Sequence, residues 1–158
     1  MSTHSGIGID VHPFSSDPRR PLVLGGVHFA GEAGLEGHSD ADVVAHAVCD
    51  AMLGAAGIGD IGQHFPDTDE RWRGADSLVL LAEAAASVRA AGYRFVNADC
   101  TVIAERPRIV VARDEMITKL TAAAGGPVHV KATRPEKLGS LGRVEGIACW
   151  AVASVEEV

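Results

Sequence analysis

The chain has 158 residues, 47% of them hydrophobic, with 14 Lys and Arg against 21 Asp and Glu for a formal charge of −7. That length suffices for one compact domain over residues 1–158, and the acidic balance argues against a nucleic-acid partner, which calls for clustered cations. Cys49, Cys100 and Cys149 are widely spaced in apolar runs, so they read as buried thiols and not as a disulfide framework or a thiolate metal site.

The polar opening Met1-Ser-Thr-His-Ser passes directly into a strand-like segment, leaving no room for a signal peptide, and no later apolar run is long enough to span a bilayer. A cytoplasmic protein with no membrane partner is expected. In Gly6–His12 the residues Ile7, Ile9 and Val11 alternate with Gly8, Asp10 and His12, so a strand sends the aliphatics one way and sets Asp10 and His12 side by side on the other. A short strand follows at Leu22–Leu24, then Gly25-Gly26 and a Gly- and Glu-rich loop to His38.

Ser39, with Asp42 three residues on, predicts an N-cap before a helix through about Ala56, buried along Val44, Ala47, Val48, Ala51, Met52 and Ala55 with His46 off the stripe. The turn-rich segment 57–73 is expected to be an ordered functional loop. A second helix, about Asp76–Ala91, should bury Leu78, Leu81, Ala85 and Val88, with Gly92 placed for a left-handed cap. Tyr93–Ala104 reads as a strand, Val110–Ala124 as a third helix ending at Gly125, and Pro127–Thr133 and Gly146–Val155 as the closing strands. The last of these is apolar at nearly every position, which suits a strand covered on both faces by helices or by another subunit. Strands mixed with three helices predict an α/β sandwich, a single mixed sheet with helices packed on it.

Asp10, His12 and His46 fit the ligand inventory of a catalytic zinc site, three protein donors with one position left open. Asp42, His46 and Asp50 recur every four residues along one helix face, and periodicity alone leaves this second arrangement open. His38 and Ser39 precede the first helix, where free backbone N–H groups favour an anion such as a diphosphate. Near the C-terminus, Lys131-Ala-Thr-Arg-Pro-Glu-Lys-Leu-Gly gathers hydroxyl, cation and carboxylate at a strand end, and Glu136 with substrate phosphates is enough protein for magnesium.

Asp10-Val-His12, Gly37-His-Ser-Asp-Ala-Asp-Val-Val-Ala-His46, Leu53-Gly-Ala-Ala, Gly59-Asp-Ile-Gly, Phe65-Pro-Asp-Thr-Asp69, Lys131-Ala-Thr, Glu136-Lys-Leu-Gly and Gly142-Arg-Val-Glu-Gly146, taken in order over nearly the whole chain, closely resemble the methylerythritol cyclodiphosphate synthase family. The resemblance implies that Asp10, His12 and His46 are zinc ligands, which decides against the one-helix arrangement, and that His38 and Ser39 contact the substrate diphosphate. It implies that Asp60, Ile61, Gly62, Phe65, Pro66, Asp67, Thr68 and Asp69 surround the methylerythritol phosphate, with Asp67 as a hydroxyl partner. Ala104, Pro107, Arg108, Ile109 and Val110, completed by Ala132 and Thr133, match the cytidine pocket, and Glu136 matches the carboxylate that holds magnesium or manganese. The family is homotrimeric, its sheets facing the threefold axis and its active sites lying between neighbouring subunits.

This chain departs from the family pattern in three places. Arg134-Pro135 replaces two hydroxyl residues, so Arg134 offers a charge-assisted phosphate contact where a threonine is usual. Trp150 stands where some relatives have an acidic residue lining the axial cavity, and Ser140 replaces a bulkier residue near Arg143, which argues against isoprenoid-diphosphate binding there. The implied reaction is a phosphorus–oxygen lyase step in the non-mevalonate isoprenoid pathway: a cytidine diphosphate-linked methylerythritol phosphate closes on itself and expels CMP. A non-catalytic zinc and cytidylate sensor is the alternative from another class, and a zinc hydrolase a third. At this length the stand-alone form is expected, not a fusion to the preceding cytidylyltransferase.

Overall fold

The alternation in Gly6–His12 does form a strand, but its aliphatic side faces outward and its glycines face the interior. In the computed structural model, which describes residues 2–158, the strands β1 (Thr3–Pro13), β4 (Tyr93–Ile103), β5 (Val128–Thr133) and β6 (Gly146–Glu157) make one mixed sheet in the order β1-β6-β4-β5. β6 runs antiparallel to both β1 and β4, and β4 runs parallel to β5. A parallel pair needs a crossover, which α4 (Arg113–Ala124) supplies. α1 (Val43–Ala55) packs on β1 and β6, and α3 (Ser77–Ala90) packs on α1 and α4.

The expected mixed sheet with three main helices is therefore present. A small hairpin is added: β2 (Val23–Leu24) and β3 (Val27–His28) flank Gly25 and Gly26, whose φ values of 57° and 75° suit the tight two-residue turn. A short helix α2 (Ile61–His64) and a 3₁₀ turn over Glu70–Trp72 lie in the segment expected to be an ordered loop, and a further short helix α5 covers Gly139–Gly142, a stretch for which the sequence predicts no element. The third expected helix is split. A 3₁₀ turn at Ile109–Val111 ends where Ala112 leaves helical geometry at φ −126°, and α4 starts after it. α3 buries Leu80 and Ala84, which the expected stripe omitted, and leaves Leu78 only partly covered. Cys49, Cys100 and Cys149 are buried free thiols.

All three main helices cover one face of the sheet, so β6 is not covered on both sides. On the opposite face Ile7 (62% exposed), Ile9, Val11, Trp150 (41%) and Val152 (51%) are open. Ile9 pairs with Trp150 and Ile7 with Val152, so these side chains form adjoining rows. Among the described residues, no helix is long and apolar enough to cross a membrane.

What joins helix to sheet is backbone contact. A Cβ on Gly8 would lie 2.1 Å from the Ala47 carbonyl oxygen, and one on Gly6 would lie 2.3 Å from the Ala51 oxygen and the Ala55 nitrogen. No side chain fits there, so α1 rests directly on β1. Ala47, Ala51 and Ala55 complete the seam from the helix side, all of them buried.

Asp42, not Ser39, is the N-cap of α1. Its Oδ1 accepts from the Val44 and Ala45 N–H groups at 3.1 Å each and from the Gly25 N–H at 2.8 Å, and its Oδ2 accepts from the Gly26 N–H at 2.7 Å. One buried carboxylate thus caps the helix and holds the β2–β3 turn. Burial, together with the neighbouring Asp40 carboxylate, pushes the Asp42 carboxyl up to about 6 against the opposing pull of the Ala45, Gly26 and Gly25 N–H groups. Because Asp42 takes the Val44 and Ala45 amides, those two are not available to an anion at His38-Ser39.

Asp42→Ala strips four N–H groups, three of them in buried contacts, of their acceptor and should lower unfolding stability by about 3 kcal/mol in urea titrations, since a lost cap contributes ~1 kcal/mol and each orphaned donor adds to it. Gly8→Ala should push α1 off β1 and lower stability by roughly 1–3 kcal/mol, the usual range for overpacking, read as a fall in thermal midpoint. An unchanged midpoint in Gly8→Ala would mean that the seam is not tight.

Candidate active site

Three ligand atoms from two elements meet at one point. β1 carries Asp10 and His12 on its helix-facing side, α1 carries His46, and one ligand atom from each of the three lies within 4.8 Å of the others. Asp10 Oδ2 is 2.9 Å from His12 Nε2 and 3.1 Å from His46 Nδ1. The His46 side chain is only 11% exposed. The rival stripe does not converge: Asp42 is used as a cap, and Asp50 accepts the Ile61 N–H at 3.1 Å, anchoring α2 to α1.

The outer nitrogens of both imidazoles are occupied. His12 Nδ1 donates to the Glu36 carbonyl at 2.7 Å, and His46 Nε2 lies 3.1 Å from Ser39 Oγ and 2.8 Å from Ser77 Oγ. Holding the far nitrogen turns the near one inward, as ligand histidines require. Burial opposes charge on Asp10, but hydrogen bonds from His12 and His46 and their charges outweigh it and hold the carboxyl down at about 2. Burial likewise opposes charge on His12, and the hydrogen bond and charge of Asp10 raise it above the ordinary histidine value. A compact carboxylate and two imidazoles with a shared focus are the donor set that zinc takes. Residues and geometry fit such an ion.

The triad opens into a cavity of about 480 Å³ lined by Asp10, His12, Gly37, His38, Ser39, His46, Ile61, Gly62, Phe65, Pro66, Asp67, Trp72 and Leu80. Asp60, Thr68 and Asp69 do not line it. Asp60 instead caps α2 through the Gln63 N–H at 2.9 Å, and Asp69 caps the 3₁₀ turn and pairs with Arg71 at 2.6 Å. Trp72 and Leu80 are wall residues that sequence reading missed; Trp72 stands edge-on to Phe65, ring centroids 5.1 Å apart. An aromatic three residues beyond Asp69 was the available signal. His38 Nε2 and Trp72 Nε1 are buried without a hydrogen-bond partner among the described residues. Orphaned polar atoms in a cavity wall ask for a functional account.

Arg20, unremarked in the sequence, fixes the loop that carries His38 and Ser39. Its guanidinium donates to the carbonyls of Leu35, Gly37 (2.9 Å) and Ser39 (2.6 Å).

A second cavity of about 390 Å³ is lined by Ala104, Glu105, Pro107, Arg108, Ile109, Val110, Ala132, Thr133 and Arg134. β4 and β5 end together here, since Ile103 pairs with Thr133. Pro135, Glu136, Ser140 and Arg143 do not line it. Glu136 and Lys137 are both left-handed, at φ 55° and 61°, and the Glu105 carboxylate accepts the Lys137 N–H at 2.6 Å. Two successive non-glycine residues in that region store strain, a feature that clusters at functional sites. The two cavities share no lining residue.

A profile of the YgbB family matches residues 3–156. The chain belongs to the YgbB family. It is 53% identical over 155 residues to the 2-C-methyl-D-erythritol 2,4-cyclodiphosphate synthase of Geobacillus thermodenitrificans, covering 96% of each chain. It is 55% identical to a bifunctional enzyme IspD/IspF of an Anaeromyxobacter species, covering 97% of this chain but 40% of that relative's length. Among solved structures, the bifunctional IspDF of Campylobacter jejuni superposes with a TM-score of 0.93 at 39% identity, over 99% of this chain and 43% of the other. The CDP complex of IspF from Plasmodium falciparum gives a TM-score of 0.84 at 30% identity, over 99% and 97%. This YgbB chain is thus similar both to stand-alone synthases and to one portion of two-activity proteins.

Proposed function

We propose that this chain is a cytoplasmic cyclodiphosphate synthase, converting 4-diphosphocytidyl-2-C-methyl-D-erythritol 2-phosphate into 2-C-methyl-D-erythritol 2,4-cyclodiphosphate and CMP. The observation that carries this reading is the Asp10–His12–His46 focus at the mouth of a cavity walled by His38, Ser39, Phe65 and Asp67, in a chain 53% identical end to end to a synthase of that name. A phosphate monoester has its second pKa near ~6, so the 2-phosphate is already mostly a dianion at neutral pH and needs no strong base. Its oxygen forms a bond to the β-phosphorus while the bond from that phosphorus to the bridging oxygen breaks, and the bridging oxygen departs on CMP.

The protein's task is to position the groups and offset repulsion between two anions. Asp10, His12 and His46 would hold zinc and Glu136 magnesium or manganese, which when bound supply positive charge to the diphosphate. Ser39 and His38 hydrogen-bond the diphosphate, with the buried, unpartnered His38 Nε2 as the donor best placed to gain from a ligand. Asp67 takes a hydroxyl of the methylerythritol, in the wall formed with Ile61, Gly62, Phe65 and Pro66. Asp60, Thr68 and Asp69 act behind that wall: Asp60 and Asp69 shape it as helix caps. Ala104, Pro107, Ile109, Val110, Ala132 and Thr133 hold cytidine, while Arg108 and Arg134 offer guanidinium groups to its phosphates. Pro135, with Ser140 in α5 and Arg143 at its end, would reach the substrate from the segment that follows Arg134.

We further propose a homotrimer, with sheets facing the threefold axis and cytidine and zinc residues coming from adjacent chains. The open apolar rows of β1 and β6 support it, because lone chains seldom expose so continuous an apolar face. So do the two cavities, which share no wall. A cytidylate sensor with the same pockets would bind the substrate and return it unchanged.

Phosphorus NMR of purified protein with substrate should show the cyclic diphosphate and CMP; a free 2-phosphate beside CMP would instead identify a hydrolase, and no change a sensor. His46→Ala should lose bound zinc and turnover together, whereas Glu136→Ala should keep zinc and lose turnover by elemental and product analysis. Full zinc and normal CMP release in His46→Ala would overturn the assignment. Sedimentation should give a three-chain mass for the parent, and Val152→Asp should reduce it to one chain; a monomeric parent refutes the trimer.

A further inference from the structure

Behind the metal ligands lies a short relay that neither the proposed reaction nor the motifs account for. Ser77 begins α3 and is 1% exposed, with its Oγ 2.8 Å from His46 Nε2. The same Oγ is hydrogen-bonded to Asp40 Oδ1. Asp40 also accepts the Ser77 N–H and the Asp42 N–H, each at 3.1 Å. An ionised carboxylate only accepts, so the Ser77 hydroxyl must spend its one hydrogen on Asp40. The Ser77 oxygen then faces His46 with a lone pair, which places a proton on His46 Nε2.

Two consequences follow for the site. Nδ1 lies 3.1 Å from Asp10 Oδ2 and hydrogen-bonds it while no ion intervenes; with Nε2 holding its proton on Ser77, Nδ1 is the nitrogen left to offer a lone pair when an ion binds between it and Asp10. Ser39 Oγ is also 3.1 Å from Nε2 and accepts the Ala41 N–H at 3.2 Å, but a protonated Nε2 cannot accept in return. The Ser39 hydroxyl hydrogen is thereby left to turn into the cavity that Ser39 lines.

We propose that Asp40 and Ser77 are positioning residues that fix His46 as the Nε2-protonated tautomer, aiming Nδ1 at the metal and freeing the Ser39 hydroxyl to donate to an anionic oxygen. This rests on the metal reading of Asp10, His12 and His46. Outer partners of this kind typically change metal affinity by roughly tenfold to a hundredfold.

The test is zinc affinity by competition with a chromophoric chelator, on parent, Ser77→Ala and Ser77→Thr. Ser77→Ala should bind zinc at least about tenfold more weakly, and Ser77→Thr, which keeps the hydroxyl, should recover most of that loss. Equal affinity in parent and Ser77→Ala overturns the proposal, as does a Ser77→Thr protein as weak as Ser77→Ala, which would indicate packing alone. If the parent itself binds no zinc, the metal reading fails, and this inference with it. A measurement that needs no variant is the ring nitrogen-15 spectrum of histidine-labelled, zinc-loaded parent. His46 should show its proton on Nε2, and a proton on Nδ1 with Nε2 bare refutes the relay.

Discussion

The backbone of α1 touches the backbone of β1, and the rest of the site depends on that contact. A strand and a helix normally stand about 10 Å apart, kept there by side chains from both. Gly6 and Gly8 remove those side chains at the seam, so carbonyls of α1 reach within van der Waals distance of the strand. Only then can an imidazole on the helix share a focus with a carboxylate and an imidazole on the strand, because His46 Nδ1 must reach Asp10 Oδ2, 3.1 Å away. The spacing of Gly8, Asp10 and His12 is thus a single device: period-two alternation puts the glycine that admits the helix on the same face as the ligands that the helix meets. The aliphatic partners of the alternation are forced to the opposite face, which explains why Ile7, Ile9 and Val11 are exposed in one chain and why that face invites a second copy.

The approach of α1 also has to be fixed along its axis, and buried or half-buried polar groups do this. Asp42 ties the first turn of the helix to the β2–β3 turn, Arg20 ties the preceding loop through its carbonyls, and Asp40 ties that loop to the start of α3. Each of these charged groups is satisfied by several partners, as burial demands. Apolar packing alone would leave α1 free to slide by a fraction of a turn, whereas these directed contacts set the position of His46 to within the tolerance of a coordination sphere.

Much of this was legible from the residues. The alternation in Gly6–His12 gave the strand and put Asp10 and His12 together on one side, the caps and glycine stops gave the three main helices to within a few residues, and the ordered motifs gave the family. Ser39 was misread as the cap because both Ser39 and Asp42 suit that role, and only the fold shows Asp42 also holding Gly25 and Gly26. The β2–β3 hairpin was half seen, since two-residue strands carry too little pattern to announce themselves. Arg20, Ser77 and Trp72 were invisible for a deeper reason: each acts across 15 or more residues of sequence, or through a wall formed only on folding, and local pattern cannot report a contact that topology creates.

Charge explains why the ligand set takes the form it does in so acidic a chain. At physiological salt, charges more than ~8 Å apart are largely screened, so the net −7 weighs little against groups lining a cavity. What matters is the sum at the site itself. Two imidazoles and one carboxylate as ligands would leave a dication with one positive charge in excess, free to face an anion. The Asp42, His46 and Asp50 stripe would have supplied two carboxylates and cancelled the dication entirely, giving a stable cation site with little pull on an anion. Arg108 and Arg134 line the other cavity, where they add permanent guanidinium charge. An acidic protein can therefore present local positive charge to a polyanion, provided that its carboxylates are kept few at each focus and the outer nitrogens of the imidazoles there are already committed.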